Sequence, residues 1–441
     1  MRKKLLTACV LAVVLLCGGT VAWAAPPTLQ SQSACLMDAD TGEILYEKDA
    51  QTQRPMASIT KTMTALLVLE NGNLDAKVTA SAEAINLVDL QSTRVGFEPG
   101  EVLTVDELMY CMLVDSANDA ANILAQYVGG DVQTFVDRMN AKAEALGCTN
   151  THFVNPNGLD ADGHYSCARD MARITYAASQ YPEFSKYSSA VSYQLPADNV
   201  IAAGWEIWTK VNMIRKDDPT YDARVYAAKT GWTTKAQNTF VACGKSDKAN
   251  LIVAVLGCPA KSGIFADTTA LLNYGEQAYQ NVSLAPDDYK KAAKKAAEKA
   301  GCEIDTDALT DIGLRLPSGM GADDLCYGCE VTGNGAWLTV GVDEGSRRTF
   351  AETTGMDGTQ PLLRVPLTLS RQTEADGESA GGADDGSWLE RLNRLPAVVR
   401  SMLTVVGIVL GAMALLFVLL FLLGLYRRIR RRVRQGDRRR R

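Results

Sequence analysis

The run from Ser401 to Tyr426 contains no charged residue and is mostly apolar, and it constrains this chain more than any other feature. Such a run is long enough to cross the hydrocarbon core of a bilayer with some tilt. A buried core helix is the competing reading, and it fits poorly with that length and with the arginine-dense flank. Arg427, Arg428, Arg430, Arg431, Arg432 and Arg434 come next, then a final block from Arg438 to Arg441. The positive-inside bias predicts a cytoplasmic tail over 427–441, with everything before Ser401 outside. The opposite end carries a second membrane signal. Arg2, Lys3 and Lys4 lead an apolar stretch from Leu5 to Leu16, and Ala22-Trp23-Ala24 ends it in a small-x-small pattern. Residues 1–24 therefore read as a secretory signal peptide.

Charge sharpens this picture. The formal net charge of −6 hides an asymmetry: setting aside Arg2, Lys3, Lys4, the ten tail arginines and Asp437 leaves 32 Lys+Arg against 50 Asp+Glu, about −18 over residues 5–426. An acidic exterior argues against nucleic-acid binding and fits an ectodomain held at a membrane surface. Nine of the eleven cysteines lie beyond residue 24, so at least one is unpaired within the chain. Export permits disulfides, but spacing alone does not give their connectivity. Cys326-Tyr327-Gly328-Cys329 has three readings: a disulfide, half of a metal site, or two thiols. No second C-x-x-C or His pair accompanies it, which disfavours zinc. The cysteines read as mainly structural, and no metal or cofactor is expected.

Patterning divides the remainder. Cys35 to Glu47 alternates about Asp40-Thr41-Gly42, a hairpin signature. A helical period begins at Ala57 and closes at Asn71-Gly72, and further helices are expected over 103–114, 118–127, 132–146 and 267–280. Short β-branched runs at 225–228, 239–243 and 251–256 predict strands. Helices flanking an antiparallel sheet with strands from both chain ends give an α+β domain over 33–281. Asp287 to Gly301, rich in alanine and lysine, reads as an exposed connector helix. A small β-rich domain is expected over 282–370, then a flexible linker over 371–396.

Three motifs carry the chemistry: Ser58-Ile59-Thr60-Lys61, Ser116-Ala117-Asn118 and Lys229-Thr230-Gly231. Each alone is weak, since about one chance S-x-x-K is expected in a chain this long. Ser58 at a helix start places Lys61 one turn later on the same face. A lysine amine can take a serine proton only if burial and nearby positive charge lower its pKa, and Lys229 would supply such a charge. Read plainly, Ser58 is an N-cap and Lys61 a solvated helix residue. Ser116 stands at a predicted helix break, suited to relaying a proton. Asn118 can both donate to and accept from a substrate amide. The competing reading makes either residue a helix cap. Lys229 can hold a terminal carboxylate with the Thr230 hydroxyl, while Gly231 admits a substrate backbone. The backbone N–H groups of Ser58 and Trp232 form a natural oxyanion pair. His152 and His164, the only histidines, stand in no H-E-x-x-H or G-x-S-x-G context and read as structural.

With these motifs in this order, the chain resembles the serine-type D-alanyl-D-alanine carboxypeptidases among the low-molecular-mass penicillin-binding proteins. The likeness covers roughly residues 33–281 and includes the segments 36–45, 115–120, 150–159 and 163–172. It implies a penicillin-binding/β-lactamase-like transpeptidase domain. It also implies removal of the terminal D-alanine from peptidoglycan stem peptides through an acyl-enzyme on Ser58, and covalent trapping by β-lactams. In that scheme Lys61 and Ser116 are catalytic, while Asn118, Lys229, Thr230, Gly231 and Trp232 bind substrate. Residues 282–370 resemble the family's accessory β domain only in position and size. The sequence departs from the family in three places. Ala117 stands where glycine is common, and Ala236-Gln237 replaces Ala-Gly. Asn250 takes the place read as that of a carboxylate-binding arginine, leaving Lys245 or Lys248 as substitutes. Two other functions compete. A β-lactamase would need a deacylating base, and no E-x-x-L-N lies between Ser116 and Lys229. A non-catalytic wall-binding or β-lactam-sensing receptor would use the arginine tail as its cytoplasmic contact.

Overall fold

Five strands form the central sheet: β1 (Ser33–Asp38), β2 (Ile44–Lys48), β3 (Val225–Thr233), β4 (Gln237–Lys245) and β5 (Asn250–Cys258). They are antiparallel and lie in the order β2-β1-β5-β4-β3, so the N-terminal hairpin docks on a strand from more than 200 residues later. The computed structural model describes residues 25–369 except 201, 333 and 334. The expected signal, the linker, the apolar run and the basic tail lie outside the described residues.

Side-chain alternation along β5 explains why the sheet reads as a continuous apolar run. Ile252, Ala254 and Leu256 enter one core, while Leu251, Val253 and Val255 enter another on the opposite face. Both faces are covered, so neither set needs to be polar. Over the first face pack α1 (Lys61–Asn71), α2 (Val105–Leu113), α3 (Asn118–Gly129), α4 (Val132–Ala145) and α5 (Ala168–Ser179). α5 touches β1, β5 and α1. The expected helices do not include it, although Met171, Ile174, Thr175 and Ala178 are buried at helical spacing. The second face is covered by α6 (Lys261–Gln277), through Ile264, Phe265, Leu271 and Leu272.

Several boundaries differ from the expected ones, each for a local reason. α2 starts at Val105 because Thr104 caps it: its hydroxyl accepts from Glu107 N–H at 3.2 Å, and Glu107 Oε2 accepts from Thr104 N–H at 2.7 Å. β3 does not stop near Lys229 but runs through the motif to Thr233, paired without a break with β4 from Ala227 onward.

Beyond α6 the chain forms β6 (Tyr279–Leu284), α7 (Pro286–Lys299), β7 (Ile312–Pro317), β8 (Leu325–Thr332), β9 (Gly335–Val342), α8 (Arg347–Thr354) and β10 (Leu363–Leu367). The expectation of an exposed connector at 287–301 is corrected here. Tyr289, Ala293 and Ala297 form a narrow buried stripe on α7, packed with Leu314, Leu338 and Val340. The lysines occupy the other side. This smaller core meets the larger one through polar groups. Arg315 of β7 is only 7% exposed. Its backbone N–H donates to Glu43 Oε2 at 2.9 Å, its Nη2 donates to Gly275 O at 2.9 Å, and its Nη1 lies 3.6 Å from Asp38 Oδ2. Tyr274 OH donates to Thr353 O at 2.5 Å. Among the described residues no helix is long and apolar enough to cross a membrane.

Candidate active site

The three motifs meet at one edge of the sheet. Ser58 lies in a short 3-10 turn (Ala57–Thr60) leading into α1, so Lys61 opens the α-helix proper. Lys61 is fully buried, and its Nζ has three neighbours. Ser58 Oγ is 3.0 Å away, Asn118 Oδ1 2.6 Å and Asn157 O 2.5 Å. Two of these are carbonyl oxygens, which can only accept. Nζ donates to all three; once its proton is lost, the amine keeps its two N–H bonds for the carbonyls and turns its lone pair to the Ser58 hydroxyl. Burial, and then the positive charge of Lys229, hold the Lys61 pKa well below that of an ordinary lysine, against a smaller opposing pull from Asp119. The lowered pKa favours the neutral form of the amine, the form that can accept a proton from Ser58.

Ser116 bridges the second motif to the third. It sits between α2 and α3 with φ of 68°, a left-handed conformation that an L side chain adopts at some cost. Lys229 Nζ donates to Ser116 Oγ at 2.9 Å and to Thr230 O at 2.8 Å. Burial pulls the Lys229 pKa down to about 7; Asp115 raises it and Lys210 lowers it, each by less. Lys229 is 1% exposed, so its ammonium faces Ser116 rather than open solvent. Asn118 is likewise committed: its Oδ1 is taken by Lys61, leaving its NH₂ for a ligand.

Gly231 differs from its expected use. A Cβ there would collide with Thr239 Oγ1 and stand 2.9 Å from Ser58 N and 3.0 Å from Met56 O. The missing side chain admits the nucleophile turn itself, bringing the edge strand against Ser58. Trp232 extends outward with 65% exposure. A cleft of about 540 Å³ is lined by Ser58, Ser116, Thr230, Gly231 and Trp232, with Thr93, Lys210, Asn238, Lys261 and Ile264 completing the wall. None of these is acidic.

Residues outside the motifs hold the nucleophile in place. Val154 N–H donates to His164 Nδ1 at 3.0 Å, which fixes the proton on Nε2. That Nε2 lies 3.0 Å from Thr60 Oγ1, which in turn donates to Ala57 O at 2.8 Å. Burial, then His152 and Lys61, push the His164 pKa down to about 4, keeping the ring neutral. Ala57 itself has φ of 49°. Gly158, at φ of 89°, would strike the Ala57 carbonyl if it bore a Cβ. The segment Asn155-Pro156-Asn157-Gly158 thus wraps the start of α1, with Asn157 anchored by its NH₂ to Asn122 Oδ1 at 3.0 Å. Of these, only the cluster of turn-forming residues gives a signal in the sequence.

The carboxylate-binding expectation is corrected. Lys245 pairs with Asn250, whereas Trp232 pairs with Asn238 and Asn238 with Cys258. Asn250, Lys245 and Lys248 are therefore at the opposite strand ends from the cleft, and Asn250 is occupied by Asp40 at 2.8 Å. Among the described residues, Lys261, just past the near end of β5, is the cleft-lining cation without a carboxylate partner: Lys210 pairs with Asp115 at 2.6 Å, while Lys261 meets Asn212 Oδ1 at 3.5 Å.

A serine hydroxyl against a buried lysine amine of lowered pKa, beside a second serine–lysine pair, defines a serine acyl-transfer enzyme with lysine in place of histidine. The family model for D-alanyl-D-alanine carboxypeptidase (peptidase S11) matches residues 20–260, and the chain belongs to that family. It is 31% identical over 281 residues to the D-alanyl-D-alanine carboxypeptidase DacF of Bacillus subtilis (strain 168), covering 61% of this chain and 70% of that protein. It is 33% identical over 241 residues to DacB2 of Mycobacterium tuberculosis, covering 54% and 78%. Among solved structures, a D-alanyl-D-alanine carboxypeptidase from Mycobacterium tuberculosis H37Rv superposes with a TM-score of 0.52 at 29% identity, covering 58% of this chain and 94% of that one. A Streptomyces K15 DD-transpeptidase variant gives 0.52 at 28%, covering 56% and 98%. The chain is a serine peptidase of this family, with the penicillin-binding transpeptidase fold.

Proposed function

We propose that this protein is a membrane-anchored DD-carboxypeptidase that removes the terminal D-alanine from peptidoglycan stem peptides. The Ser58 hydroxyl gives its proton to Lys61 and attacks the penultimate D-alanine carbonyl. The amide C–N bond breaks, the leaving D-alanine nitrogen takes a proton relayed through Ser116, and an ester on Ser58 remains. Water then hydrolyses that ester, and Ser58 regains its proton. The Ser58 and Trp232 backbone N–H groups receive the developing oxyanion. β3 is an edge strand of the sheet, so the peptide docks alongside it as an added strand. The Asn118 NH₂ grips its backbone, while the Thr230 hydroxyl and the Lys229 and Lys261 cations attract its terminal carboxylate. One observation carries this reading: the fully buried Lys61 Nζ, held by two carbonyl oxygens, lies 3.0 Å from Ser58 Oγ.

β-Lactams acylate Ser58 in the same way, and among the described residues that line the cleft no acidic side chain stands to serve as a carboxylate base for hydrolysing the adduct. The 33–281 domain works outside the bacterial cell membrane, followed by the 282–370 accessory domain and the 371–396 linker. Ser401–Tyr426 spans once, and the arginine tail is cytoplasmic. Incubating the full chain with benzylpenicillin and mapping the adduct tests the scheme. A stable penicilloyl mass on the Ser58 peptide is expected; rapid turnover of penicillin, or an adduct on another residue, contradicts it.

A further inference from the structure

We infer that Cys302 and Cys329 form a disulfide that ties the end of α7 to the middle of β8, and that the adjacent Cys326 is excluded from it. The C-x-x-C spacing at 326–329 suggests a local pair, but both residues lie in β8, where Cys326 faces Gly341 and Cys329 faces Leu338 on the neighbouring strand. Residues three apart in a strand point to opposite faces and stand about 10 Å apart, beyond the reach of a disulfide. The same geometry removes the motif as half of a metal site.

Cys329 shares its face with Tyr327, whose ring stacks on Tyr289 of α7 at 6.2 Å, so this face of the strand is turned to the helix. Just beyond α7, Gly301 takes φ of 78° and Cys302 N–H donates to Ala297 O at 3.0 Å. This turn folds the chain back over β8 and brings Cys302 Sγ to 4.0 Å from Cys329 Sγ. Two thiols in van der Waals contact need only a rotamer adjustment to bond. Cys326 Sγ instead hydrogen-bonds Val342 O at 3.4 Å on the outer face. The other six described cysteines are buried, each in the peptidase region. The oxidant is a disulfide of a small thiol or an exchange protein. One cysteine attacks it and releases one thiol; the second displaces the other, so two protein thiols become one disulfide as one external disulfide becomes two thiols.

The test is to oxidise the purified full chain with glutathione disulfide, quench it with N-ethylmaleimide, and map it without reduction. Cleavage after Arg315 and after Tyr327 puts the three cysteines on three peptides. The expected result is Cys302 linked to Cys329, with Cys326 alkylated or carrying glutathione. A Cys326 link to either partner, or alkylation of both Cys302 and Cys329 after oxidation, overturns the inference. A second measurement separates linkage from stability. Dithiothreitol should lower the Tm of the oxidised protein by roughly 5 °C and leave the Cys302→Ser/Cys329→Ser double variant unmoved. An equal response in the two proteins also overturns it.

Discussion

Lys61 and Lys229 illustrate how one residue's chemistry is set by its neighbours. Each ammonium would be costly where it sits, so burial lowers both pKa values, and the charge of Lys229 lowers that of Lys61 further. Removing Lys229 takes away the charge that depresses the Lys61 pKa, so the Lys61 pKa rises. Acylation by penicillin in Lys229→Ala is accordingly expected to fall about 100-fold at pH 7 and to recover partly at higher pH, read as an acid limb displaced upward in the pH–rate profile. An acid limb that stays put contradicts the coupling. His164 gives a stability prediction with the sign fixed by its lowered pKa, about 4 in the folded chain against an unperturbed value near 6.5. Below pH 6.5 the unfolded chain binds a proton that the folded one refuses, so stability declines as pH falls from about 6.5 to 4, by up to about 3 kcal/mol. His164→Asn should flatten that decline in denaturant titrations at pH 7 and 4.5, and should slow acylation by loosening the Ala57–Ser58 turn.

At the scale of elements, α7 is where composition misleads. Its alanines and lysines give a buried stripe one residue wide, at 289, 293 and 297, which no broad apolar face announces. Ala293→Asp should cost about 3 kcal/mol in denaturant unfolding and Lys294→Asp less than about 0.5 kcal/mol; equal costs would restore the exposed connector. α5 escapes the pattern for a related reason, since its buried face is mostly Ala, Met and Thr, with Ile174 as its single large aliphatic. The sequence does disclose whatever short spacing dictates. Ser58 and Lys61 lie one turn apart in any helix, Ser116 marks a break, and Lys229 sits in a strand. It does not disclose how the loop at 155–164 closes over α1, because Asn157, Gly158 and His164 act only through tertiary approach. Gly231 shows the same limit: its need for no side chain is visible, but the object it admits is a turn of this chain.

Over the whole molecule, the two cores are joined through buried polar groups, so their union depends on pH. Burial pushes the Glu43 pKa up to about 8 despite its hydrogen bond from Arg315, so the folded chain keeps a proton that the unfolded chain has released. Its contribution to stability is present below about pH 4.5 and is lost as pH rises through 8. Glu43→Gln should therefore raise the Tm by several degrees at pH 8 and change it little at pH 4.5; the opposite pH dependence would contradict the proton at this joint. The central claim concerns the cleft. Its most direct test is release of D-alanine from diacetyl-L-Lys-D-Ala-D-Ala by the full chain in detergent, beside its Ser58→Ala variant. Release by the native chain and a loss of at least about 1,000-fold in the variant are expected; release that survives the substitution would contradict Ser58 as the nucleophile.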